Sequence, residues 1–253
     1  MTDALARQLR AAAPAEAGAR GRGRRFYTGM GVVAVLVVVV GFSGPMPGDV
    51  GDGSGRRAFS PQVRLHAALF GGWLALFIAQ TRLVAMGRTA LHRRLGIVAS
   101  VLAVAMLAVG VPTAIAAERR GWPFDGDPLG NLVHPLGDLV SFTVLVGVAL
   151  WYRRKPDVHK RLMLLATAGA LMNAPLAHMH ARLPAPLNAN PLLFLLPMVL
   201  LLSASAVYDR VTRGRIHPVS LWGAVLLFAW GNVRELLIRP SSAWHQFAAW
   251  LVG

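Results

Sequence analysis

Four histidines recur in this chain at intervals that suit a ligand set: His66, His92, His134 and His159. His66 and His92 lie 26 residues apart and His134 and His159 lie 25 apart. Each interval is about one bilayer crossing of α-helix. The pattern therefore occurs twice, 67 to 68 residues apart. Neutral imidazole is an axial ligand of haem and a common metal ligand, so such pairs on neighbouring helices would suit two bis-histidine haems or a metal site. Imidazoles at headgroup depth also serve as polar helix ends that bind nothing. The spacing alone leaves all three readings open.

A second group carries different chemistry. His178 and His180 end the fifth apolar stretch, and Asp138 lies one turn after His134 on the same helical face. Several imidazoles with a carboxylate would bind copper or zinc. Against this, His178 and His180 are at i and i+2 and point to different faces of an intact helix. The HExxH motif and the multi-histidine boxes of membrane hydrolases and diiron hydroxylases are absent, so no catalytic residue is identified. The chain has no cysteine, which excludes disulfides, thiolate metal sites, iron–sulfur clusters and thiol catalysis.

The elements that must position these residues are membrane helices. Hydrophobic residues make up 55% of the 253 residues, charged ones only 15%, and the mean hydropathy is +0.51. That balance predicts a polytopic membrane protein whose first partner is the lipid bilayer. Seven apolar stretches lie near 26–43, 65–86, 95–117, 132–152, 161–180, 191–208 and 219–238. They are continuously apolar rather than alternating, so helices rather than a closed β-barrel satisfy the backbone. The expected fold is an all-α bundle of about seven transmembrane helices, a lead helix followed by three hairpins. Residues 1–25 are expected to form a disordered basic tail, 26–240 the helical domain, and 241–253 a short interfacial segment anchored by Trp244 and Trp250.

Charge sets the expected orientation. The N-terminal tail and the turns near residues 88–94, 153–161 and 210–215 carry 17 lysines and arginines, and the opposite side carries 7. The positive-inside rule then places the N-terminus in the cytoplasm and the C-terminus outside. The net charge of +15 would otherwise suggest nucleic acid, but no soluble basic domain remains to bind it, so no nucleic-acid partner is expected.

The basic turns themselves repeat. They read GRTALHRRLG, RRKPDVHKRLM and RGRIHPVSLWG, which makes His92, His159 and His217 equivalent positions in three hairpins. In the third hairpin Pro191 stands where the partner histidine would be. Pro135 and Pro218 directly follow His134 and His217, as when proline takes the first helical position after a cap.

Three segments carry a resemblance: LHAALFGGWLALFIAQTRLVAMGRTALHRRLG at Leu65–Gly96, PLGD at 135–138 and HKRLMLLAT at 159–167. Over roughly residues 60–240 the chain resembles a family of uncharacterised bacterial multi-pass membrane proteins, which implies the bacterial inner membrane and brings no established activity. More distantly, the four-histidine pattern is similar to the di-haem transmembrane cytochromes b. That similarity implies haem b, with His66 and His134 holding an outer haem and His92 and His159 an inner one, and a quinone or another redox partner. Gly71, Gly72, Gly96 and Gly137 would then offer small surfaces to the rings, and Arg82, Arg93 and Arg161 would neutralise propionates.

Polar residues inside the stretches need partners because their burial in lipid is costly. Arg82 can snorkel to the interface. Asp138 is expected to pair with a basic group or a histidine, Arg234 and Glu235 to pair with each other or across helices, and Asn173 and Asn232 to bond between helices. Pro112, Pro175 and Pro197 are expected to kink their helices. Two functions follow: an electron carrier of the cytochrome b kind, or a non-redox assembly protein or small-solute transporter.

Overall fold

In a computed structural model the described residues are 23, 25–44, 60–119 and 126–253. The expected tail, apart from Gly23 and Arg25, and most of the loop near 44–63 lie outside them. Among the described residues seven helices are long and apolar enough to cross a membrane: α1 Arg25–Phe42, α2 Pro61–Ala85, α3 Thr89–Arg119, α4 Pro128–Trp151, α5 Pro156–Ala181, α6 Leu192–Arg213 and α7 Pro218–Ile238. A further helix, α8, covers Ser242–Val252. There is no strand among the described residues. The chain is an all-α membrane bundle, as the hydropathy requires.

Turns of three or four residues join α2 to α3, α4 to α5 and α6 to α7, which forces antiparallel neighbours. Gly87 (φ +74°) and Gly214 (φ +69°) end α2 and α6 in the left-handed conformation that favours glycine. These turns and the start of α1 share one end, called here the basic end.

All of these helices except α6 begin before their apolar stretches do. Ser60 caps α2 by accepting from the Val63 N–H at 3.3 Å, and Asp127 caps α4 by accepting from the Gly130 N–H at 3.0 Å. Proline follows each cap at the first helical position. His66, His92, His134 and His159 therefore lie inside helices by about one to two turns. The capping role expected of His134 belongs to Asp127 instead. His217 does cap its helix, its Nδ1 accepting from the Val219 N–H at 3.2 Å.

α5 is the central element. Of its apolar window 61% is buried, against 6% for α7. It passes from α-helix into a π turn at Leu165–Gly169, then a 3₁₀ turn at Ala170–Met172, before resuming at Asn173. Pro175 supplies the cause: it lacks an N–H, and its ring would crowd the carbonyl four residues earlier. The wider turn seats Thr167 in the core, where it accepts a hydrogen bond from the Trp73 indole at 3.1 Å. Trp73, Met106, Phe142, Ala166 and Met172 pack around that bond. α1 approaches α5 closely at Gly41, where a Cβ would lie 2.6 Å from Pro175 Cβ. Pro112 and Pro197 are carried inside α3 and α6 without ending them. Ile97, Val104, Leu236 and Leu237 point outward, the surface a bilayer covers.

Candidate functional site

At the basic end α3 and α5 bring His92 and His159 together, their ring centroids 6.4 Å apart and their planes 81° to each other. Both rings are half-buried. His159 Nδ1 lies 2.8 Å from the Ala149 carbonyl oxygen in the last turns of α4. A carbonyl only accepts, so Nδ1 carries the proton and Nε2 keeps its lone pair. This is the bond that orients a ligating histidine. Two imidazoles on one iron have centroids about 6 Å apart, the sum of two metal–nitrogen bonds of about 2 Å and the two ring offsets. The separation suits two imidazoles on one metal ion, and the Nδ1 bond leaves Nε2 as the ligating nitrogen of His159. His92 fits in part, because its Nδ1 is buried without a partner.

Two residues beyond His159, Arg161 is fully buried. Its guanidinium grips Asp209 of α6 through both carboxylate oxygens, Nε at 2.9 Å from Oδ2 and Nη2 on Oδ1. Nε also donates to Ser220 of α7 at 3.1 Å, and Nη1 donates to the Asp157 carbonyl at 2.6 Å. Ser220 donates to Asp209 at 2.6 Å and shares a bond with Ser205 at 2.9 Å. On the exposed side Asp157 pairs with Lys160 at 2.6 Å and Arg213 at 3.0 Å. Arg161 is thus occupied by a carboxylate and does not fill the propionate role expected of it. It holds α5, α6 and α7 together behind the histidine pair.

The other end has its own polar cluster. Arg234 Nη1 donates to Asp138 Oδ1 at 2.7 Å and to the His134 carbonyl at 2.9 Å. Asn173 donates to Asp138 Oδ2 at 3.0 Å, so both carboxylate oxygens are taken. Glu235 lies 3.2 Å from His134 Nε2 and accepts from Arg239 at 2.7 Å. Gly137 makes room for the arginine: a Cβ there would lie 2.3 Å from Arg234 Cδ. The small surface expected to face a macrocycle faces a guanidinium. A Cβ at Gly71 or Gly96 would meet nothing within 4 Å, so those glycines line no close contact. Asn232 bonds the Phe228 carbonyl of its own helix at 2.8 Å rather than a neighbour.

The remaining histidines stand apart. His66 stacks on Phe70 of its own helix at 4.1 Å, its Nδ1 buried without a partner, and it makes no ring contact with His134. His178 is buried against the Phe42 ring at 4.7 Å, and His180 Nε2 lies 3.2 Å from the Asn190 carbonyl. Among the described residues no group of three or more His, Asp or Glu is placed to hold a metal ion, so His178, His180 and Asp138 are not gathered into one site.

α8 is fastened outside the spans. His245 bonds the Ser241 carbonyl through Nδ1 and Asp127 Oδ1 through Nε2, both at 3.0 Å. Trp244 donates to the Leu129 carbonyl at 2.9 Å, and Arg119 donates to the Val252 carbonyl. Two acceptors demand two N–H donors, so the Ser241 carbonyl and then Asp127 raise the His245 pKa. Burial opposes ionisation of Asp127, but hydrogen bonds from His245 and the Gly130 N–H outweigh it and lower its pKa.

Asp209 is the main residue that sequence reasoning missed. The signal was a single acidic residue among the arginines in the last turns of α6, one position beyond the apolar stretch as drawn. No family model, curated protein or solved structure matches this chain.

Proposed function

We propose that this membrane protein binds one b-type haem between His92 and His159 at its basic end and serves as an electron carrier within the membrane. One observation carries the reading: the two rings stand at a separation suited to a shared iron, and His159 is already oriented by the Ala149 carbonyl. When bound, the haem would supply one-electron redox chemistry. The chain's residues would do the rest. His159 and His92 would hold the haem iron, the Arg161–Asp209 network would fix the helices behind them, and exposed Arg93 would meet a propionate. Under the positive-inside reading the basic end faces the cytoplasm of a bacterial inner membrane and the C-terminus lies outside. A quinone or a redox protein would exchange electrons there.

The proposal omits a second haem at His66 and His134. His134 Nε2 lies against Glu235, and His66 stacks on its own helix. The test is a reduced-minus-oxidised visible spectrum of detergent-purified protein expressed with ample haem. The expected result is a Soret band and a sharp α band that disappear in His92→Ala and in His159→Ala. A wild-type protein with no Soret band refutes the reading. That outcome would favour the alternative, a non-redox assembly protein or small-solute transporter, for which the ion-paired clusters at both ends are the supporting observation: each ties helices together without a cofactor.

A further inference from the structure

A groove of about 410 Å³ opens between α1 and α2 at the basic end, lined by Arg25, Thr28, Gly29 and Val32 of α1 and by Arg82 and Ala85 of α2. On α1 these residues follow one another at helical spacing, charged first, then polar, then apolar. The groove therefore grades from charge to hydrocarbon along the helix axis. A Thr28–Thr81 hydrogen bond of 3.1 Å holds the two helices in register beside it. A Cβ at Gly29 would meet nothing within 4 Å, so the wall is open there.

Among the described residues, neither Arg25 nor Arg82 has a hydrogen-bond or ion-pair partner. Arg82 lies inside the apolar span, one turn before its end at Ala85. An exposed guanidinium at that depth is stable only if it snorkels or meets an anion. The groove contains two cations and no carboxylate. Its charge, its depth and its apolar continuation match one class of molecule.

We propose that this groove binds an anionic glycerophospholipid, the phosphate between Arg25 and Arg82 and an acyl chain along Gly29 and Val32. Guanidinium and phosphate form charge-assisted, often bidentate bonds, and the planar fork of arginine suits them. The site does not depend on haem binding, and it assigns α1 a role beyond leading the chain into the membrane.

The test uses the full-length protein in mixed micelles doped with phosphatidylglycerol or with phosphatidylcholine, with bound lipid read by native mass spectrometry. Wild type is expected to retain phosphatidylglycerol in preference to phosphatidylcholine. The Arg25→Gln/Arg82→Gln variant should bind it roughly thirtyfold more weakly, as expected for two basic side chains at the headgroup surface. Gly29→Leu keeps both arginines but fills the open wall, and it should displace the lipid as well. No headgroup preference in wild type overturns the proposal, as does undiminished binding in either variant. Inorganic phosphate that competes as well as the lipid would also overturn it by making the occupant a free anion.

Discussion

Replacing Asp209 by alanine tests the buried network most sharply. Arg161 and Asp209 are both 0% exposed, and the carboxylate takes hydrogen bonds from Arg161 Nε and Nη2, from the Ser220 hydroxyl and from the His217 N–H. Without it the guanidinium keeps only Ser220 and Asp157, the latter carboxylate 3.3 Å away and 53% exposed. Removing one partner of a buried pair costs about 3–5 kcal/mol, and the residual Asp157 contact favours the lower figure. For a chain of this size each kcal/mol moves Tm by about 2–4 °C, so the loss should be about 6–12 °C. Thermal unfolding in detergent, followed by circular dichroism, reads this directly. The double variant Arg161→Met/Asp209→Leu removes both charges and should recover most of the loss. A shift below about 2 °C for Asp209→Ala, or a double variant as unstable as the single one, would refute the account of a dry, mutually dependent pair.

Other expectations follow from individual contacts. Gly137→Ala places a Cβ 2.3 Å from Arg234 Cδ and should pull the arginine off Asp138, lowering stability by about 1–3 kcal/mol in the same melt. Trp73→Phe removes the indole donor to Thr167 and part of a buried ring, so the loss should be about 2–3 kcal/mol, one hydrogen bond plus a small cavity. A loss below about 0.5 kcal/mol would contradict the packing of that ring in the core. The fastening of α8 should depend on pH. The raised His245 pKa stabilises docking below the unfolded value near 6.5, and this is lost as pH rises through the folded pKa. The lowered Asp127 pKa stabilises docking above about 4, and this is lost as pH falls through its folded value. Protection factors of the amides in residues 242–252, taken relative to the intrinsic base-catalysed rate, should therefore be highest in mildly acid buffer and fall at alkaline pH, and protection factors that stay constant from pH 5 to 9 would contradict the pairing.

The seven spans and three hairpins were legible in the sequence because the length of an apolar run is dictated by bilayer thickness, which needs no knowledge of neighbours. Helix starts were not, because hydropathy marks the hydrocarbon boundary while Ser60 and Asp127 begin the helices outside it. This displacement put His66 and His134 well inside their helices and transferred the cap of α4 to Asp127. Pairing was the least legible level. Asp138 was expected to pair with a basic group or a histidine and finds Arg234, but no sequence pattern singled out Asp209, and Arg161, expected at propionates, grips that carboxylate instead. Burial, which a linear sequence does not carry, decides both. Likewise Pro175 announced an irregular α5, while the π turn that seats Thr167 beneath Trp73 depends on how the bundle closes around it.

Haem content per chain tests the central proposal most directly. The account predicts about one haem per chain in wild type and in His66→Ala/His134→Ala, and none in His92→Ala or His159→Ala. No haem in wild type, or haem lost only when His66 and His134 are replaced, would contradict it.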